Sequence, residues 1–299
     1  MTVLVTGASG SIGPSAVRAF LRSFPEVRAY VRNPEAADWL RGIGAKVAVG
    51  EVDDEETLSI AMYGVFTVCH LVGAIDAPDE EGYRLANAGS VETALRAAQG
   101  TGVGRFLFLS SPGASPDAAH PYLRAKGAAE AMIAGSGLEF AIVRSAHVYG
   151  PGPGLWFSTA LELALLDPPG VLGGGDASIA PVFVEDIAAV LAAADDRSEP
   201  LRGTWGLEGP GAVTTEGFAR LVNPEAGAVR RFGLGDAGEV ERLLGRPVSP
   251  SALEFLAAES RADRPDAAGE FGVTRTSLED GLRRTIERSA DLRLERWSS

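Results

Sequence analysis

Residues 1–13 leave this chain few folds to choose from. Met1 to Val5 holds a short β-branched run, Thr2 to Val5, that reads as a buried parallel strand. Glycines at 7, 10 and 13 follow at once in Thr6-Gly7-Ala8-Ser9-Gly10-Ser11-Ile12-Gly13. Behind them begins a stripe of apolar residues at helical spacing: Val17, Phe20, Leu21 and Phe24. The first glycine lets the chain turn sharply, the second lets backbone approach a bound group, and the third lets helix pack closely on strand. This order is what a dinucleotide site requires, because phosphate charge settles on the unpaired N–H groups of a helix N-terminus. A glycine turn without function is the plain alternative; its place between strand and helix argues against it. Gly7, Ser9, Gly10, Ser11, Ile12 and Gly13 are therefore candidate cofactor-binding residues. Pro14 fits the first helical turn, where a missing N–H costs nothing.

Composition bounds the rest. A chain of 299 residues with 45% apolar content suits one large domain, or a core with a smaller lobe. Its net charge of −13, with no basic run, is a poor match for nucleic acid or an anionic membrane. The apolar runs are too short to span a bilayer. The single cysteine, Cys69, lies inside an apolar run and has no internal disulfide partner, which points to an inert thiol and a cytoplasmic protein. The three histidines are scattered, so no metal site is expected.

Val27 to Val31 reads as the second strand, and Asn33-Pro34-Glu35 as the start of a helix. An acid at this strand end would accept from the adenosine ribose hydroxyls, whereas an arginine matches a 2′-phosphate. Here Val31-Arg32-Asn33 has no acid, which favours NADP(H) over NAD(H), with Arg32 as selector; a solvated strand-end arginine is the alternative. Lys46 to Glu51 is a third strand, leading to Asp53-Asp54, either of which suits a helix N-cap. Val65 to Val72 is a fourth, with His70 read as a strand-end residue. Val72 and Gly73 follow where backbone would pass close to the cofactor. A helix from Glu80 to Ala98 carries Leu85, Ala88, Val91, Leu95 and Ala98 on one face.

Phe106 to Leu109 is a further strand, ending in Ser110-Ser111, and a Gly-, Pro- and Ala-rich loop leads to Tyr122-Leu123-Arg124-Ala125-Lys126. Pro121 suits a first helical turn, so Tyr122 and Lys126 should share one helical face. A lysine ammonium one turn from a phenol stabilises the phenolate and pulls its pKa toward the working range. Ser111, or Ser110, could hold a substrate oxygen. Tyr122, Lys126 and Ser111 are the candidate catalytic residues, and Lys126 also reaches toward a nicotinamide ribose.

These stretches together resemble the extended or atypical short-chain dehydrogenase/reductases, of the NAD-dependent epimerase/dehydratase and NmrA-like type. Further matches are Ile142-Val143-Arg144, Val148-Tyr149-Gly150-Pro151-Gly152, Pro181 to Ala188 and Phe271-Gly272-Val273-Thr274. The resemblance covers most of the chain and is thinnest between Pro224 and Pro265. It implies a Rossmann-type α/β fold, a doubly wound parallel sheet with a smaller C-terminal substrate lobe. It also implies an adenine contact at Asp53, a structural role for Asn87, and a cofactor-side position for Ser145, where the group usually has proline. In the resembled group the helix after Asp79 and the Tyr122 helix often pair as a four-helix dimer interface; here their outer faces are Ala- and Gly-rich and charged (Glu92, Arg96, Glu130), so a homodimer is favoured only slightly, with a monomer the alternative.

Residues 1–150 are thus expected to form the nucleotide-binding core, with 171–195 returning to it, and 151–299 a smaller lobe interleaved with it. Trp205 to Leu207 is read as the beginning of that lobe, and Thr276 with Glu279 as a capping box for the last helix (Leu278, Leu282, Ile286). His147, Tyr149, Trp156 and Phe157 are candidates to line a substrate pocket, with core packing the alternative for each aromatic. The expected activity is NADP(H)-dependent reduction or oxidation of a small organic or sugar-derived substrate. Two alternatives stand beside it: a non-catalytic NADP(H) sensor of NmrA-like type, and a nucleotide-sugar epimerase or dehydratase using Arg220, Arg230, Arg231 or Arg246 for the diphosphate.

Overall fold

The computed structural model describes residues 2–152, 154–225 and 227–297; Met1 and Pro153, included in the stretches quoted above, lie outside the described residues. The chain alternates strand and helix from the start: β1 Thr2–Thr6, α1 Gly13–Ser23, β2 Glu26–Val31, α2 Glu35–Gly42, β3 Lys46–Val49, α3 Glu55–Met62 and β4 Thr67–His70. A short α4 Glu80–Tyr83 runs through a widened π-helical turn, Arg84–Gly89, into α5 Ser90–Ala98. Then come β5 Arg105–Ser110, α6 Pro121–Gly135 and β6 Glu139–Ser145.

Seven parallel strands form the central sheet in the order β3, β2, β1, β4, β5, β6 and Arg202–Leu207. The order reverses between β1 and β4, and open α/β sheets bind ligands in the crevice at such a reversal, beyond the carboxyl ends of the strands. This is the expected doubly wound fold. The fourth strand is shorter than its apolar run, and Thr67 and His70 are buried in it as paired polar groups.

The sheet is covered on both faces. On one, α1 packs with the helix Val184–Asp195, so that Val17, Phe20, Ile187 and Leu191 share a core with Val3 and Val5. On the other, Leu58, Val91 and Ile133 from α3, α5 and α6 meet Leu4, Phe106 and Phe108. A third apolar cluster, with Phe157, Phe183, Phe218, Phe232 and Leu253, lies in the C-terminal half.

Several expectations need correction. Trp205 to Leu207 belongs to the seventh strand of the central sheet, paired with β6. Within 171–195, residues Gly170–Leu172 pair instead with Arg230–Phe232, while Val182 to Asp195 pack with the core. Leu85 is turned to solvent, 53% exposed, because its helix buries the polar Asn87 and Ser90, both hydrogen-bonded, which an apolar stripe does not reveal. Glu130 faces inward to Arg144 and is not on an outer helix face. Thr276 bonds Asp186 through its backbone N–H and hydroxyl, and Ser277 accepts from the N–H of Asp280 at the start of the last helix. On that helix Ile286 is exposed and Thr285 buried. Among the described residues no helix is long and apolar enough to cross a membrane.

Candidate active site

The glycine turn is built as its sequence requires. Gly7 sits at φ +69°, and a β-carbon there would lie 3.0 Å from the backbone of Leu71 and Val72 beyond β4. The Gly10 N–H donates to the Gly7 carbonyl at 3.0 Å. At Gly13 a β-carbon would come within 2.4 Å of Ala8 and Gly7 backbone atoms, so only glycine lets α1 start this close to the turn. No side chain caps α1: Ile12 holds the N-cap position, and the first N–H groups are left open toward the turn. A cradle without β-carbons at an uncapped helix N-terminus fits a pyrophosphate.

Arg32 is exposed directly after β2. Asp54 accepts from the Thr57 N–H and caps α3, which leaves the neighbouring exposed Asp53 without that duty. Beyond β4, Asn87 holds the loop at Ala74 from both sides, accepting from its N–H at 3.2 Å and donating to its carbonyl at 3.0 Å. A β-carbon at Gly73 would lie 2.7 Å from the Asn87 amide oxygen and 3.1 Å from Lys126 Nζ.

Tyr122 and Lys126 occupy successive turns at the front of α6. With Ser110, Ser111, Ser145, Gly73, Ser11 and Ile12 they line one cleft. Both side chains are buried. Lys126 Nζ donates to the Leu109 carbonyl at 3.0 Å, lies 4.6 Å from the Phe108 ring centre and 5.9 Å from that of Tyr122. Burial pushes Lys126 down to about 8, with Glu130 acting the other way. Burial also pushes the Tyr122 phenol above its ordinary value, and the Ser111 hydroxyl opposes this. The expected lowering of the phenol by Lys126 is thus reversed here: desolvation dominates, and the ammonium is turned to a carbonyl.

Three residues support this cleft in roles that the sequence did not assign to them. His120 is the N-cap of α6: its Nδ1 accepts from the Tyr122 N–H at 3.2 Å, and Nε2 lies 2.9 Å from the Ser251 carbonyl. Its place before Pro121 was the available signal, since a residue preceding proline is held extended. Phe255 packs edge-on against Tyr122, ring centres 4.8 Å apart, from the helix Pro250–Ala257. Buried Arg144, at the end of β6, bonds Glu130, Asp263 and the Ala114 carbonyl, and Asp263 in turn accepts from the Gly113 N–H. Phe255 and Asp263 come from the stretch where the resemblance is thinnest, and no local pattern marks them.

Of the four pocket candidates the cleft takes two. His147 and Trp156 line it, their rings stacked at 4.9 Å. Tyr149 and Phe157 lie in the third apolar cluster instead, where Tyr149 donates to the Ser277 carbonyl and packs on Phe183. Their surroundings are aromatic and apolar, so core packing claims them. His70 is buried between Thr6 and Ser90, and burial lowers it to about 3, which keeps the ring neutral.

Comparison with known proteins bears on this geometry. Residues 7–159 match the family described as NAD(P)H-binding. A ceramide reductase of Caulobacter vibrioides is 29% identical over 195 residues, 64% of this chain and 60% of that protein. A (4-alkanoyl-5-oxo-2,5-dihydrofuran-3-yl)methyl phosphate reductase of Streptomyces griseus is 28% identical over 268 residues, 87% of this chain and 86% of that one. The chain spans between 44% and 60% of the length of several other such relatives, including the first. Among solved structures, a UDP-glucose 4-epimerase of Thermotoga maritima matches with a TM-score of 0.75 at 19% identity, over 98% of this chain and 99% of that one. That likeness is one of fold. A glycine cradle at a sheet reversal and a match over half of the sequence agree: the chain belongs to the NAD(P)H-binding family, on the fold of the extended short-chain dehydrogenase/reductases.

Proposed function

We propose that this protein is an NADPH-dependent reductase that converts a carbonyl group to an alcohol, with Tyr122, Lys126 and Ser111 in the reacting centre. The observation that carries this reading is the convergence of those three side chains with Ser11, Ile12 and Gly73 on one cleft at the carboxyl ends of the strands. Several relatives named as reductases support it: the ceramide reductase, a ketoreductase of Stigmatella aurantiaca and an NAD(P)H azoreductase of Xenophilus azovorans.

The residues of the turn, Gly7 to Gly13 with Ser9 and Ser11, would hold the pyrophosphate, Arg32 a 2′-phosphate, and Asp53 the adenine. Val72, Gly73 and Ser145 would flank the nicotinamide end. When bound, the reduced cofactor supplies a hydride to the carbonyl carbon. Ser111 donates a hydrogen bond to the carbonyl oxygen and orients it. Tyr122 holds the proton that this oxygen takes up as the alcohol forms. The raised phenol keeps that proton in place until negative charge develops on the oxygen beside it. Lys126 would then compensate the phenolate left behind, and its ammonium would bond the nicotinamide ribose as well. The substrate would lie between a core, with Val182 to Asp195 returning to it, and a smaller lobe that carries Phe255.

The test is NADPH oxidation against a panel of ketones and aldehydes, run beside Tyr122→Phe. A non-catalytic sensor would oxidise NADPH with none of them.

A further inference from the structure

Ser111, which would hold the substrate oxygen, opens a tight turn directly beyond β5. In Ser111-Pro112-Gly113-Ala114 the Ala114 N–H donates to the Ser111 carbonyl at 3.2 Å, and Gly113 stands at φ +77°. Proline in second place and a glycine of positive φ in third are the marks of a type II turn. That closing bond leaves the Gly113 N–H and the Ala114 carbonyl to find partners elsewhere.

Both partners are charged, and they are bonded to each other. The Gly113 N–H donates to Asp263 Oδ2 at 3.0 Å, and Arg144 Nη2 donates to the Ala114 carbonyl at 2.7 Å. Arg144 Nη1 donates to the same Asp263 Oδ2 at 2.7 Å, which closes a ring of bonds through turn, carboxylate and guanidinium. Hydrogen bonds to charged groups are about twice as strong as neutral ones. Ser111 and Ala114 are buried while Gly113 is exposed, so the ring grips the turn at its outer edge. The next residue, Ser115, is pressed against the helix of Tyr122 and Lys126: a β-carbon at Gly127 would come within 2.1 Å of its backbone.

Asp263 is delivered by a strap, residues 260–266, that is fastened at both ends. At its start Ser260 bridges to Ile179, and its hydroxyl accepts from the His147 N–H at 2.9 Å. Near its middle, Arg261 and the Ala262 N–H both bond Glu208. At its end the Pro265 carbonyl accepts from the Gly206 N–H at 2.8 Å. A β-carbon at Gly206 would lie 2.9 Å from the Arg264 carbonyl oxygen, so the strap runs close against the strand Arg202–Leu207.

We infer that Asp263 is a positioning residue for the reacting centre: by fixing the turn at 111–114 it sets where the Ser111 hydroxyl stands. It therefore acts on carbonyl turnover and not on cofactor binding. This rests on the reductase reading above and adds to it a residue that is not among those lining the cleft.

One oxygen, Oδ2, serves both Gly113 and Arg144, so the single amide oxygen of Asp263→Asn can replace it and Asp263→Ala cannot. In both variants Arg144 keeps Glu130 and the Ala114 carbonyl, so the fold should survive, which a urea melt checks. The first measurement is hydrogen exchange of the Ala114 amide in the free protein. That amide bonds Ser111 and not Asp263, so it reports the turn itself. Its exchange should be about 10-fold faster in Asp263→Ala and near native in Asp263→Asn, while the Ala129 and Ile133 amides of α6 stay as they were. The second is turnover of NADPH with acetophenone, benzaldehyde and 2-decanone. Asp263→Ala should lose about 10-fold with unchanged NADPH affinity, Asp263→Asn should recover most of it, and adding Asp263→Ala to Ser111→Ala should cost nothing further.

Native exchange at Ala114 in Asp263→Ala would overturn the inference, as would a loss in Asp263→Asn equal to that in Asp263→Ala. So would a full further loss on top of Ser111→Ala, or NADPH affinity that falls together with turnover. The two readings fail separately. Faster Ala114 exchange with none of the three carbonyl compounds reduced would keep Asp263 as the anchor of Ser111 and remove the reductase. Turnover that depends on Tyr122 while Asp263→Ala is silent in both measurements would do the reverse.

Discussion

Arg144 grips Glu130 with two nitrogens, Nε at 2.9 Å and Nη2 at 2.7 Å, and so ties the end of β6 to the middle of the helix that carries Tyr122 and Lys126. The pair is nearly closed to water, with side-chain exposures of 6% and 12%. The same guanidinium bonds the Ala114 carbonyl in the loop after Ser111 and the carboxylate of Asp263. Arg144→Met strands two carboxylates at once. Removing one partner of a buried ion pair costs about 3–5 kcal/mol, and a urea melt of this variant should show a loss in that range. A loss under about 1 kcal/mol would mean that the pair is dispensable.

Tyr122→Phe deletes one oxygen and keeps the edge contact with Phe255. Folding and NADPH affinity should be unchanged, while carbonyl turnover should fall roughly 10²- to 10⁴-fold, the usual worth of a positioned proton donor. Lys126→Met should slow turnover and also weaken NADPH binding. Circular dichroism and nicotinamide fluorescence separate these effects from unfolding.

Cofactor preference should reside in Arg32. A guanidinium–phosphate contact is worth about 1.5–3 kcal/mol, so native protein should bind NADPH better than NADH by one to two orders of magnitude. Arg32→Ala should remove most of the difference. Equal affinities in the native protein would take Arg32 out of the site.

Burial sets a pH limit on Lys126. With its pKa lowered to about 8, the ammonium is present below that pH and is lost as pH rises through it. NADPH affinity and turnover should both decline on the alkaline side of about pH 8. Lys126→Arg, whose guanidinium stays charged, should lack that decline even if its activity is lower. A native profile flat up to about pH 10 would show that the bound cofactor restores the ordinary lysine value.

What the sequence disclosed was local. Strand, glycine turn and helix lie within the first 24 residues, and Tyr122 with Lys126 is a spacing of one helical turn, so each could be read without knowing the rest. A doubly wound parallel sheet followed from repeating that alternation, and the structure gives it seven strands. Its last strand was missed because Trp205, Gly203 and Gly206 do not form a continuous apolar run. The walls of the cleft were less legible for a different reason. Phe255 meets Tyr122 across more than a hundred residues, and Asp263 meets Gly113 across 150. Such contacts leave no periodicity behind. Tyr149 and Phe157 show the converse error: aromatics close in sequence to the site, yet drawn into a core that offers them more apolar surface.

The widened turn at Arg84–Gly89 gives one helix two separate duties. Ahead of it, Tyr83 leans on His120 at 6.2 Å and reaches Ser249. Behind it, Val91 and Ala94 are seated against the sheet. Each residue of an α-helix advances the direction of its side chain by about 100°, so a turn that takes in one more residue acts as a phase shifter between the two halves. Excising a single residue from 84–89 would leave Ser90–Ala98 docked and swing Tyr83 away from His120. The cap of the Tyr122 helix would lose its neighbour although nothing in the reacting centre had been touched.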